Sequence, residues 1–78
     1  MKVNVYEKQK SGIEVCVLLE PQRQQDFLRW LRNNDVKPPK EWYANYDGEL
    51  SLGFFLAPQH VVEQLQKWAE LEKHKHEV

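Results

Sequence analysis

The hydrophobic positions of this chain switch twice from a two-residue to a three-to-four-residue period. Residues 2–7 alternate, with Val3 and Val5 set against Lys2, Asn4 and Tyr6, the signature of a half-buried strand. The polar stretch 8–12 ends in Gly12 and suits a hairpin loop. Residues 13–20 form a second strand. Ile13, Val15, Val17 and Leu19 point one way; Glu14, Cys16, Leu18 and Glu20 point the other. Pro21 stops that strand and suits the first position of a helix, where its missing N–H costs nothing. Over 22–34, Phe27, Leu28 and Leu31 fall at helical spacing with Trp30 beside them, and Arg23, Asp26, Arg29 and Arg32 lie largely opposite. Pro38-Pro39 forbids continuation.

The second half repeats the plan. Residues 41–46 are aromatic and strand-like, and Asp47-Gly48 predicts a two-residue type I′ turn. Residues 49–56 alternate, which predicts Leu50, Leu52, Phe54 and Leu56 on one face and Ser51, Gly53 and Phe55 on the other. Pro58 opens a second helix with an apolar stripe of Val61, Val62, Leu65, Trp68 and Ala69. The polar tail from residue 71 to 78 is expected to fray. Pro21-Gln22 matches Pro58-Gln59 at an offset of 37, as Val15 and Val17 match Leu52 and Phe54; the glycines of the two turns differ by 36. Duplication of a ββα unit leaves such a pattern, and so do the strand and helix periods alone.

The expected fold is α+β: a two-layer sandwich in ββαββα order, with a four-stranded, mostly antiparallel sheet and two helices on one face. The helices are expected to bury their stripes against Val3, Val5, Val15, Val17, Leu19, Leu50, Leu52 and Phe54. Strand order is not readable from the pattern.

With 78 residues, the chain has room for a single domain over 1–78 and a thin core. Hydrophobic residues at 41% and charged ones at 29% are ordinary for a globular domain. Net charge is −1, so no global field draws the chain to nucleic acid or anionic lipid. The lone Cys16 cannot close an intrachain disulfide, the N-terminal residues lack an apolar signal core, and the run from Val15 to Leu19 is far shorter than a bilayer span. A cytoplasmic protein is expected.

If both helices cover one side of the sheet, the far side faces water or a partner. Such a face is normally polar. Here it is expected to carry Tyr6, Cys16, Leu18 and Phe55 with Tyr43 or Trp42, an apolar patch that points to dimerisation or to docking of a protein partner. Trp42 follows Pro38-Pro39, and either anchors a partner at an exposed edge or caps the core beneath that loop. The competing reading takes the same aromatics as a platform for unpaired bases, with Arg29, Arg32, Lys37 and Lys40 on the phosphates. Residues 21–40 sum to +3 and residues 41–72 to −5. The sequence pI of about 6.3 and the lack of a Lys/Arg-Gly-aromatic string count against nucleic acid.

Other chemistries find less footing. His74 and His76 are two ligands at most, too few for a structural zinc site. Cys16 lies mid-strand without an evident electropositive neighbour, and His60 falls in the first turn of a helix, where its charged form is disfavoured; no third group orients the pair. The three glycines are isolated, so no phosphate-cradling loop exists. The sequence thus predicts a non-catalytic interaction or regulatory module without cofactor or metal.

Overall fold

Two hairpins share one sheet because the second strand of each is the most apolar and seeks the centre. In a computed structural model, which describes residues 1–44 and 49–76 (side chains of the last helix as far as Glu72), β1 (Lys2–Gln9) and β2 (Gly12–Leu19) form the first hairpin. A 3₁₀ turn (Pro21–Arg23) leads into α1 (Gln24–Asn33); β3 (Trp42–Ala44), β4 (Ser51–Ala57) and α2 (Gln59–His76) follow. All pairings are antiparallel and the sheet order is β1-β2-β4-β3. This is the expected α+β fold in ββαββα order. The predicted Asp47-Gly48 turn, and Asn45 and Tyr46 before it, lie outside the described residues.

The register of β2 on β4 fixes which side of each strand meets the helices. Val15 pairs with Phe55 and Val17 with Gly53, whereas Cys16 pairs with Phe54 and Leu18 with Leu52. Val15 and Val17 are buried against the helices, so their partners on the same face are Phe55 and Gly53. The expected alternation of β4 is therefore inverted: Ser51, Gly53, Phe55 and Ala57 point inward, and Leu52, Phe54 and Leu56 point to the open side. Both alternating sets are apolar. The larger set lost the inward positions because the interior is already filled by rings. Phe27 lies 5.8 Å from Phe55, 6.2 Å from Trp42 and 6.2 Å from Trp68, centroid to centroid. Small inward residues on β4 make room for them. Val5 also departs from expectation: it faces the helix side at the sheet edge but is exposed.

α1 ends in a Schellman motif. Asp35 takes a left-handed conformation with φ of 56°. Its N–H donates to the Arg32 carbonyl at 3.1 Å, and the Val36 N–H donates to the Leu31 carbonyl at 3.0 Å. Val36 is thereby turned into the core, next to buried Leu31. α2 continues to His76, past residue 71 where the sequence predicts fraying. Arg23 forms a two-pronged ion pair with Glu72 on this helix.

The two ββα halves meet at the β2–β4 pair and at the tryptophans of the two helices. Cys16 and Phe54, 38 residues apart, stand directly opposite one another. Trp30 and Trp68, equally spaced, touch with ring centroids 5.6 Å apart. The offset of 37 read from the sequence sets Val15 and Val17, which face the helices, against Leu52 and Phe54, which face the open side.

Candidate interaction surface

Both helices pack on one side of the sheet, joined through the Phe27, Trp30 and Trp68 rings. Among the described residues no helix packs on the other side. Along it the register places Asn4 and Tyr6 from β1, Glu14, Cys16 and Leu18 from β2, Leu52, Phe54 and Leu56 from β4, and Tyr43 from β3. Tyr43 is 52% exposed, Tyr6 50%, Phe54 42% and Leu56 37%. Leu18 and Leu52 are half-buried between them. Tyr6 and Phe54 lean together across β2, their centroids 6.5 Å apart. Beneath that pair Cys16 is only 2% exposed. Burial, followed by the nearby Glu14 carboxylate, pushes its thiol above the ordinary range, the reverse of what an activated thiolate requires.

Of the six residues the sequence assigns to the surface, Tyr6, Cys16, Leu18 and Tyr43 stand on the open face. Phe55 and Trp42 do not. Phe55 is 6% exposed and meets Phe27 edge-on. Trp42 pairs with Gly53, faces the helices and meets the Phe27 ring edge-on; it caps the core beneath the Pro38-Pro39 loop. Sequence reasoning missed Leu52, Phe54 and Leu56, whose apolar alternation was visible but assigned to the core. The signal that places them outside is Gly53: a glycine in an aromatic-rich strand marks a close approach of neighbours. A Cβ at Gly53 would come within 2.9 Å of the Trp42 ring and of the Pro39 Cγ.

Of the four cations of the nucleic-acid reading, the two lysines stand beside this face and the two arginines do not. Arg29 and Arg32 are exposed on α1, in the helix layer behind the sheet. Lys37 and Lys40 lie in the 34–41 connection at the β3–β4 edge and line a groove there with Val36, Tyr43, Phe54 and Leu56. The aromatic platform and the arginines thus look in opposite directions. Around the open face the charges are mixed: Lys2 and Glu14 share it by register, Lys37, Lys40 and Glu41 line the groove at its β3–β4 edge, and Glu14 accepts from the Gln9 amide at 2.9 Å. The Tyr43 hydroxyl donates to Glu41 at 2.8 Å. The bond to that carboxylate, then its charge, raises the tyrosine above its usual range.

Elsewhere the described residues offer little chemistry. No three His, Cys, Asp or Glu side chains among them are placed to hold a metal ion. Cys16 lies on the open side of β2 and His60 on an exposed position of α2, so the sheet separates them. No helix among the described residues is long and apolar enough to cross a membrane. No protein-family model matches the chain, and no curated protein or solved structure is found to be similar to it.

Proposed function

We propose that this chain is a small non-catalytic interaction module that docks a protein, in the first instance a second copy of itself, through the open face of its sheet. The observation that carries this reading is the side-by-side exposure of Tyr6, Phe54, Leu56 and Tyr43 on a face that neither helix covers. Contiguous apolar exposure of this kind, rimmed by polar groups, marks interaction sites on small soluble domains. Tyr and Phe suit the role because they bring large area with few rotors to freeze. A regulatory part in a reducing, cytoplasmic setting is consistent with the reduced, buried Cys16.

Size sets the strength. Strands of eight, eight, seven and three residues, about 4.8 Å apart, give a face on the order of 400 Å² in projection. A standard interface removes about 800 Å² from each partner. Association is therefore expected at the weak end, with the polar rim contributing.

Light scattering behind size-exclusion chromatography, over rising concentration and at low and high salt, tests the proposal. The expected result is a mass that climbs from monomer toward dimer with concentration, persists in high salt and stays at monomer in Phe54→Glu. A monomer at every concentration overturns self-association. A single-stranded oligonucleotide whose binding weakens steeply with salt would assign the face to base stacking instead.

A further inference from the structure

The register lays the open face out in three rows across the sheet. Lys2, Leu18, Leu52 and Tyr43 make one row, running from β1 to β3. Asn4, Cys16 and Phe54 make the next. Trp42 pairs with Gly53, which sets Glu41 beside Phe54 at the end of that row, and the Tyr43 hydroxyl donates to its carboxylate. In the last row Leu56 pairs with Glu14, and Tyr6 stands on the far side of Glu14.

This last row is uneven in height. At its β1 end the Tyr6 ring projects, 50% exposed. At its other end β3 is missing, since that strand begins at Trp42 and pairs only with residues 51–53. A groove takes its place beside Phe54 and Leu56. Its wall is Val36 and Pro38, and its charged lining is Asp35, Lys37, Lys40 and Glu41. A ring and a hollow at opposite ends of one row are what a surface needs to fit its own copy, because in a two-fold contact residue i meets j and j meets i.

We infer that two copies pair face to face across a two-fold axis running along the strands between β2 and β4, each Tyr6 seated in the other copy's β3–β4 groove. The arrangement rests on the self-docking of the open face proposed above. This axis exchanges β1 with β3 and β2 with β4. Leu18 then meets Leu52 of the other copy. Glu14 comes over Leu56, beside the groove lysines, and Lys2 comes over Tyr43 and Glu41, so opposite charges meet at both places. Packed sheets cross at about 30°, which moves the corners by about one strand spacing, within reach of Lys and Glu side chains. A two-fold axis across the strands is disfavoured, because it turns the middle row onto itself. Glu41 would face Glu41, and Glu14 would lie on Leu18. Area points the same way: the face alone falls short of the about 800 Å² of a standard interface, and an inserted aromatic ring adds about 150–250 Å².

Two measurements test this. Sedimentation at low salt gives dimer dissociation constants for the wild-type chain, Lys2→Glu, Glu41→Lys and the double variant. Both side chains are exposed, so the fold is expected to persist. Expected is a wild-type dimer, a dissociation constant raised about fivefold in each single variant, and a return to near the wild-type value in the double variant. For the second measurement, isotope-labelled wild-type chain is mixed with unlabelled Ser11→Cys carrying a nitroxide; Cys16 is buried and stays unmodified. Ser11 lies in the β1–β2 turn and lines the groove. An axis along the strands keeps like ends together, so NMR signals of residues 56–58 are expected to broaden most. Broadening centred on residues 18–20, at the opposite end, overturns the axis. A wild-type dimer whose single variants bind unchanged, or whose double variant does not recover, overturns the arrangement and leaves the face reading standing. A wild-type monomer at every concentration overturns both.

Discussion

Gly53 shows how one residue arranges its surroundings. It sits inward on β4, opposite Val17 on one side and Trp42 on the other. The missing side chain lets the Trp42 indole pack directly on the strand, and there it meets Phe27 in a T-shaped contact. Adding a methyl would bring it within 2.9 Å of both the indole and the Pro39 ring. Neither neighbour is the free end of a flexible chain, because Trp42 is a rigid ring packed against the core and Pro39 is buried. Gly53→Ala is therefore expected to destabilise the fold by about 1–3 kcal/mol, the usual cost of overpacking. Urea unfolding measures this, and a change in the near-ultraviolet circular dichroism of tryptophan should accompany it. An unchanged midpoint would mean that the indole does not rest on Gly53.

At the scale of elements, α1 and α2 are tied by a charge as well as by rings. The Arg23 guanidinium donates to both Glu72 oxygens, lies 5.8 Å above the Trp68 ring, and shares Glu72 with the Met1 ammonium at 3.0 Å. Hydrogen bonding from Arg23 above all, helped by the ammonium and opposed by partial burial, holds the Glu72 carboxyl down from 4.5 to about 2. A carboxylate held below its unfolded value stabilises the fold above that value. Its contribution is lost as pH falls from about 4.5 toward about 2. The pair is only partly buried, so the loss is expected to be on the order of 1–3 kcal/mol. In Glu72→Gln this contribution is absent at every pH. Urea midpoints of the two proteins should differ at pH 6 and converge near pH 2; a constant difference would show that Glu72 titrates without reporting on the fold. The two patterns that placed these helices, Pro21 and Pro58 at the starts and the spacing of Phe27, Leu31 and Leu65, were plain in the chain. The clamp was not, because nothing local connects residues 23 and 72.

At the scale of the whole molecule, what was legible and what was not divide along one physical line. Periodicity reports that an element has two sides, and it predicted every helix and strand in order. It reports the buried side only when the other side is polar. On β2 the glutamates at 14 and 20 settle the matter. On β4 both sides are apolar, and only the pairing of Val15 with Phe55 decides. The same ambiguity is the reason a candidate surface exists: a strand that is apolar on both sides must leave one side to water or to a partner. Neighbouring residues therefore separate the two roles. Phe55 is packed edge-on against Phe27 in the interior, so Phe55→Glu buries an unpaired carboxylate among rings and is expected to leave the chain unfolded or deeply destabilised. Phe54, one residue earlier, has 42% of its surface in water and leans on Tyr6. Phe54→Glu forfeits that contact alone and is expected to shift the melting temperature by only a few degrees, for a loss of about 1 kcal/mol or less. Thermal unfolding of the two variants side by side checks the face assignment independently of any partner. If both melt alike, or Phe55→Glu is the milder, the register of β4 on β2 is wrong and the open face must be redrawn.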